Sequence, residues 1–125
     1  DVFIDVGDSE IPPDATVHDS FFGKMFIVPI KHNWQATWAM EQWNEHRITN
    51  LIPYHGHEIT GSHHPLACGL EPLVHPQKGC YVGQEVLTRM RSRGKQGHRL
   101  VVRPNPVEKP TTQGKERSLC IVRTQ

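Results

Sequence analysis

Apolar and polar residues alternate over the first six positions of the chain, where the apolar ones are Val2, Ile4 and Val6. A denser apolar run follows at 25–30, and both patterns are typical of β-strands. The stretch 7–13 is rich in turn-forming residues and predicts a connection between these strands. Because Pro29 has no backbone N–H, it marks the second strand as a sheet edge or a strand end.

Apolar residues at helical spacing predict a helix from Trp34 to about His46, with Asn33 as its N-cap. Trp34 and Trp38 are four residues apart and would lie on one face of this helix. An apolar helical stripe usually packs in a core, so we interpret the tryptophans as core residues rather than as ligand platforms.

Proline and glycine punctuate residues 50–77, which predicts a long loop that carries function or wraps a neighbouring element. A second helix is predicted over 83–90, followed by a turn at 94–97. Strands are predicted at 98–103 and 118–122, with a proline-rich connector between them.

The chain has 125 residues, of which 36% are hydrophobic, and this length fits one compact domain or a piece of a larger protein. No apolar window approaches the 18 residues of a membrane span. Three cysteines without a C-x-x-C pair argue against a disulfide framework and favour a reducing compartment. Because the chain starts at Asp1 rather than methionine, we expect processing or a fragment of a longer protein.

The near-neutral net charge of +1 conceals a division between the two halves of the chain. Residues 1–60 carry 3 basic and 9 acidic side chains, whereas residues 61–125 carry 11 basic and 4 acidic ones. This asymmetry favours an acidic ligand or protein partner on the second half. Most of the excess lies in 78–103, in the basic residues Lys78, Arg89, Arg91, Arg93, Lys95, Arg99 and Arg103. Nucleic acid is disfavoured, since no aromatic residue follows Tyr81 to stack on bases.

Histidine and cysteine side chains are concentrated in 55–80, where they could ligate zinc or another transition metal. These residues are His55, His57, His63, His64, Cys68, His75 and Cys80. Their spacing matches no standard zinc finger or ribbon, and such histidines are frequent in solvated loops. We therefore assign no metal site.

The segment Lys78–Glu85, with the sequence KGCYVGQE, concentrates the most chemistry in the chain. Gly79 and Gly83 would allow a tight turn around the thiol of Cys80. Nearby Lys78 and a following helix N-terminus would both favour a thiolate, so Cys80 is a candidate reactive cysteine. The alternative is that Cys80 is a small buried thiol in a packing loop.

KGCYVGQE resembles the K-G-C-[FYW]-x-G-Q-E signature of YgfZ-type folate-binding proteins, relatives of the glycine cleavage T-protein (aminomethyltransferase). The flanks are similar too, in Arg47-Ile48, Gly56-His57-Glu58 and Pro65-Leu66. The resemblance implies a partial aminomethyltransferase-like α+β fold. Its parts would be an incomplete ferredoxin-like folate-binding lobe (1–77), the signature loop and helix (78–97) and the start of a C-terminal β-barrel (98–125).

By the same resemblance, the protein would bind tetrahydrofolate and assist iron–sulfur protein assembly or repair, with no defined catalytic turnover. Cys80 would be the functional thiol and Lys78 its electrostatic neighbour. The residues expected at the folate are Arg47, Tyr81, Gln84, Glu85 and Arg89. The basic 78–103 surface would receive the folate or an acidic partner, such as an iron–sulfur client or a large complex. The implied compartment is the mitochondrial matrix or another organelle in a eukaryote, or the cytoplasm in a bacterium.

Two positions depart from the family pattern, because Thr49 and Ala67 stand where many relatives carry carboxylates. Thr49 could make one hydrogen bond to a pterin but no bidentate carboxylate contact. The rival hypothesis is therefore a degenerate, non-catalytic family member that serves as a structural subunit of a large organellar complex. True aminomethyl transfer is the least favoured interpretation.

Overall fold

A computed structural model of the chain describes residues 1–7, 9–75, 77–93 and 97–124, and for 90–93 it describes the backbone only. The fold is mixed α+β, as predicted, and contains two small antiparallel sheets. The chain divides into two compact units, residues 1–39 and 40–125. Residues 40–77, expected to belong with the N-terminal lobe, share the second unit with 98–125.

The first unit is a three-stranded sheet of β1 (Val2–Asp5), β2 (Thr16–Ser20) and β3 (Gly23–Ile27) in the order β1-β3-β2. Phe26 on β3 is 1% exposed, and Phe3 lies opposite it on β1. The ring of Trp34 packs edge-on against both phenylalanines, with centroid separations of 5.7 and 5.9 Å. These aromatic contacts make the core of the unit.

The predicted helix from Trp34 to His46 is wrong in its first half. Asn33 is not an N-cap; it adopts a left-handed conformation (φ 49°) that ends a short 3₁₀ turn, Ile30–His32. Trp34 packs against Phe26 of the sheet, so it does not belong to an apolar stripe on a helix. Trp38 is 42% exposed, which contradicts its assignment to a core. The helix α1 spans Met40–Asn50 and so begins six residues after the predicted start at Trp34.

A local charge cluster joins the turns of the first unit. The carboxylate of Asp14 lies 2.9 Å from Lys31 Nζ and 2.6 Å from His32 Nε2. Hydrogen bonds from these two side chains lower the pKa of Asp14 to about 2. The cluster is exposed, so it contributes little to stability.

The second unit contains α1, α2 (Gln84–Arg93) and a sheet of β4 (His98–Pro104), β5 (Thr112–Gln113) and β6 (Arg117–Arg123). The strand order is β4-β6-β5, and all pairs are antiparallel. Ile48 on α1 packs against Leu100 and Leu119 on the sheet, and all three are at most 6% exposed. This contact holds the helix on the sheet.

The predicted elements of the second unit are largely confirmed. α2, β4 and β6 lie where the patterns placed them, and 51–83 contains a single short 3₁₀ turn, Glu71–Leu73, among its described residues. Part of the predicted 94–97 turn, including Lys95, lies outside the described residues. In the described part of the chain, no helix is long and apolar enough to cross a membrane.

Candidate functional site

A fully buried ion pair joins α1 to the long loop. Arg47 Nη1 donates to Glu58 Oε1 at 2.7 Å, and both side chains are 0% exposed. Arg47 also donates to Ile52 O at 3.1 Å and to Asn44 Oδ1 at 2.7 Å. A fourth hydrogen bond reaches Thr112 on β5, so four of the five N–H groups of Arg47 have protein acceptors. These bonds fix the orientation of the guanidinium in the interior of the unit.

Thr112 on β5 closes this network from the sheet. Its hydroxyl accepts from Arg47 Nη2 at 2.9 Å and donates to Glu58 Oε2 at 2.6 Å. The backbone N–H of Tyr54 donates to the other carboxylate oxygen at 3.0 Å. The guanidinium carbon also lies 5.1 Å from the centre of the Tyr54 ring, within cation–π range. The network thus ties a helix, a loop and a strand together.

Arg47 was expected to contact folate, and the structure places it in this interior network. The two departing positions are also accounted for. Ala67 is 0% exposed, so no surface is left there for a ligand contact. The hydroxyl of Thr49 accepts from Arg117 Nη2 at 3.3 Å.

The signature segment lies at the surface. Cys80 is exposed, which contradicts the alternative of a buried packing thiol. Gly83 has a φ of 84°, a left-handed value that favours glycine, and α2 begins at the next residue. The backbone therefore turns from the thiol into the helix, as the two glycines predicted.

The side chains around Cys80 are arranged locally. The ammonium of Lys78 lies 5.0 Å from the centre of the Tyr81 ring, a cation–π contact that holds the ring beside the loop. Gln84 opens α2 and donates its N–H to Tyr81 O at 3.3 Å. Glu85 and Arg89 are exposed on the same helix. The segment thus presents a thiol, an aromatic ring and both signs of charge.

The other two cysteines are enclosed. Cys68 is 1% exposed and Cys120 is 4% exposed. Burial raises the pKa of the Cys68 thiol, and the nearby Glu58 carboxylate also raises it. Burial and a raised pKa both disfavour the reaction of Cys68 with reagents in water.

We expect Cys80 to react much faster than the other two thiols with a disulfide reagent such as dithionitrobenzoate. Cys68 and Cys120 must wait for local opening, and an opening that costs about 3 kcal/mol slows modification about 100-fold. Stopped-flow absorbance should show one fast thiol per native chain and three after denaturation. The variant Cys80→Ser should lack the fast phase. A fast phase that persists in this variant would contradict the exposure of Cys80.

The described histidines take part in separate local contacts. His63 and His98 form a tilted ring pair with centroids 5.2 Å apart, and His57 Nδ1 lies 3.4 Å from the Thr112 hydroxyl. Among the residues that the structure describes, no three His, Cys, Asp or Glu side chains are grouped to hold a metal ion.

Sequence reasoning did not connect Arg47 with Glu58, eleven residues away, and gave no role to Asn44 or Thr112. The charges of Arg47 and Glu58 were a usable signal, because buried charges are usually paired. Thr112 had no such signal, since it is 54 residues from Glu58 in sequence.

Comparison of the chain with family models, with curated proteins and with solved structures gives no match. The resemblance to YgfZ-type proteins therefore stays a prediction based on the KGCYVGQE segment and its flanks.

Proposed function

We propose that this chain is a YgfZ-like, tetrahydrofolate-binding accessory protein of iron–sulfur protein assembly or repair, with a partial aminomethyltransferase-like fold. The main support is the exposed signature segment, in which Cys80 precedes α2 beside the paired Lys78 and Tyr81. A surface thiol next to an aromatic platform suits contact with a ligand or a client protein. The role is binding and presentation rather than catalytic turnover.

In this proposal Tyr81 offers its ring to the pterin, while Gln84, Glu85 and Arg89 offer polar groups from the first two turns of α2. A flat heteroaromatic ring stacks well on a tyrosine whose position is already restricted. The contact between Lys78 and the ring supplies that restriction. Arg47 takes no part in binding, because it is fully buried and four of its N–H groups serve the interior network.

Calorimetric titration with tetrahydrofolate, kept reduced, tests the ligand half of the proposal. We expect saturable one-to-one binding that Tyr81→Ala weakens about tenfold, the loss of about 1.4 kcal/mol that one stacking contact provides. Lys109→Gln, a change at an exposed side chain outside the segment, should bind as the wild type does. Absence of saturable binding by the wild type would refute folate binding.

The proposed role of the Cys80 thiol is tested by a separate measurement. The activity of iron–sulfur enzymes should fall in cells that carry Cys80→Ala in place of the wild-type chain. Cys80→Ala is expected to leave folding unchanged, since the side chain is exposed. Unchanged enzyme activities would remove the thiol from the proposed function.

The burial of Ala67 favours a second candidate, a structural subunit of a large complex. The position where relatives carry a carboxylate is 0% exposed here, so it offers no anchor for a pterin. Under this alternative, the chain co-purifies stoichiometrically with a large assembly and Cys80→Ala assembles normally. Folate binding by the isolated chain, together with failure to co-purify, would reject it.

A further inference from the structure

A groove of about 310 Å³ on the sheet of the second unit is lined by three arginines. Arg99 and Arg103 come from β4, and Arg123 comes from the end of β6. Val122 and Thr124 complete the lining. No acidic side chain is among these lining residues, so the groove is strongly basic.

The pairing of the two strands explains why these residues meet. Arg99 and Arg103 are four residues apart on β4, so both point to the same face of the sheet. Val122 is the antiparallel partner of Arg99 and supplies the apolar floor beside it. Arg123, the next residue of β6, pairs with His98, so it lines the groove from the strand end rather than from the face that Arg99 and Arg103 share. The structure thus adds Arg123 to the basic surface predicted over 78–103.

The three guanidiniums lack acidic partners in the part of the chain that the structure describes. All seven acidic residues of the second unit are described, and the ion pairs observed there, Arg47 with Glu58 and Lys115 with Glu41, include none of the groove arginines. Like charges that line one groove repel one another, which is unfavourable unless a counter-charge is supplied. An anion from outside the chain would supply it.

We propose that this groove binds an oligoanion, a ligand that carries two or more phosphate or carboxylate groups in a row. Each guanidinium offers a planar fork that matches either group in a bidentate way. The backbones at Arg99 and Arg103 are about 13 Å apart along the strand, a spacing that a ligand with several anionic groups in a row can follow. The groove volume lies at the lower end of the range for small-molecule sites.

This inference does not rest on the proposed folate function. The arginines of the groove belong to β4 and β6, whereas the residues offered to the pterin lie at the signature loop and α2. The folate proposal and the groove proposal can therefore be confirmed or refuted independently.

The test is calorimetry with two probes, inorganic tripolyphosphate and triglutamate, at about 50 mM salt, where charge contacts are weakly screened. We expect saturable binding of at least one probe, weakened about tenfold by Arg99→Gln or Arg103→Gln and more by the double variant. The probe that binds more tightly identifies phosphate or carboxylate as the natural chemistry. All substituted side chains are exposed, so the variants should keep the wild-type circular dichroism spectrum.

Arg117→Gln is the matched control. Arg117 lies on β6 and carries the same charge, but it does not line the groove. Its replacement should change the affinity for either probe less than about twofold, since it removes a positive charge from the protein but no guanidinium group from the groove. Failure of both probes to bind saturably would overturn the proposal, as would equal weakening by Arg117→Gln and by the groove variants.

Discussion

Replacing Glu58 with glutamine is expected to lower the free energy of unfolding of the 40–125 unit by about 3–5 kcal/mol. The change keeps the size of the side chain but leaves the fully buried guanidinium of Arg47 without its counter-charge. It also weakens the acceptor of the Thr112 hydroxyl, 2.6 Å away. Urea unfolding followed by circular dichroism, with amide exchange at Leu119 as a local probe, measures the loss.

Glu41→Gln is the matched control for Glu58→Gln. Glu41 pairs with Lys115 at 3.8 Å, and both side chains are more than 70% exposed. An exposed pair contributes about 0–1 kcal/mol, so the same chemical change should have a small effect there. Similar losses at the two positions would contradict the buried network.

A double-mutant cycle separates the pair from its surroundings. Arg47→Met removes the charge while keeping most of the volume, and it should cost about as much as Glu58→Gln. Because the two changes remove the same interaction, the double variant should fall short of additivity by about 1–3 kcal/mol. Strictly additive losses would show that the two residues act independently.

The elements that were predicted correctly are those with a local apolar pattern. β4 and β6 contain continuous apolar runs that include Leu100 and Leu119, and their burial against Ile48 is what such runs require. α2 was recognised from apolar residues at helical spacing, and among the described side chains of that set Leu87 is the buried one.

The elements that were missed are defined by pairing rather than by composition. β2 has one apolar residue, Val17, which is 47% exposed, so no alternation marks it as a strand. β5 is two residues long and exists because Thr112 and Gln113 pair with β6. The start of α1 was misplaced because Trp34 packs on the sheet of the first unit, a contact that helical spacing cannot reveal.

The same distinction applies to the candidate sites. The exposed loop around Cys80 follows from local turn chemistry at Gly79 and Gly83, and local sequence was sufficient to place it. The Arg47 network and the arginine groove are built from residues far apart in the chain. Charge alone indicated a basic surface, and the structure adds Arg123, at the end of β6, to the residues that line it.

The connection between β5 and β6 is the second place where one substitution should have a large effect. A methyl group at Gly114 would overlap the carbonyl oxygen of Arg117 and lie 2.7 Å from Cδ1 of Ile48. It would also lie 2.8 Å from Glu45 Oε1, the acceptor of the Lys115 N–H. Because the first of these atoms is backbone, the turn must shift, and Ile48 belongs to the core on which α1 rests.

We expect Gly114→Ala to lower the free energy of unfolding by about 3 kcal/mol, the upper end for a methyl forced into a packed site. Urea unfolding monitored by circular dichroism measures the loss, and Gly61→Ala is the control. A methyl group at Gly61 would have no heavy atom within 4 Å, and its φ is not left-handed, so alanine there should be neutral or slightly stabilising. If the two variants had equal stability, Gly114 could not be the point at which the β5–β6 turn packs on α1.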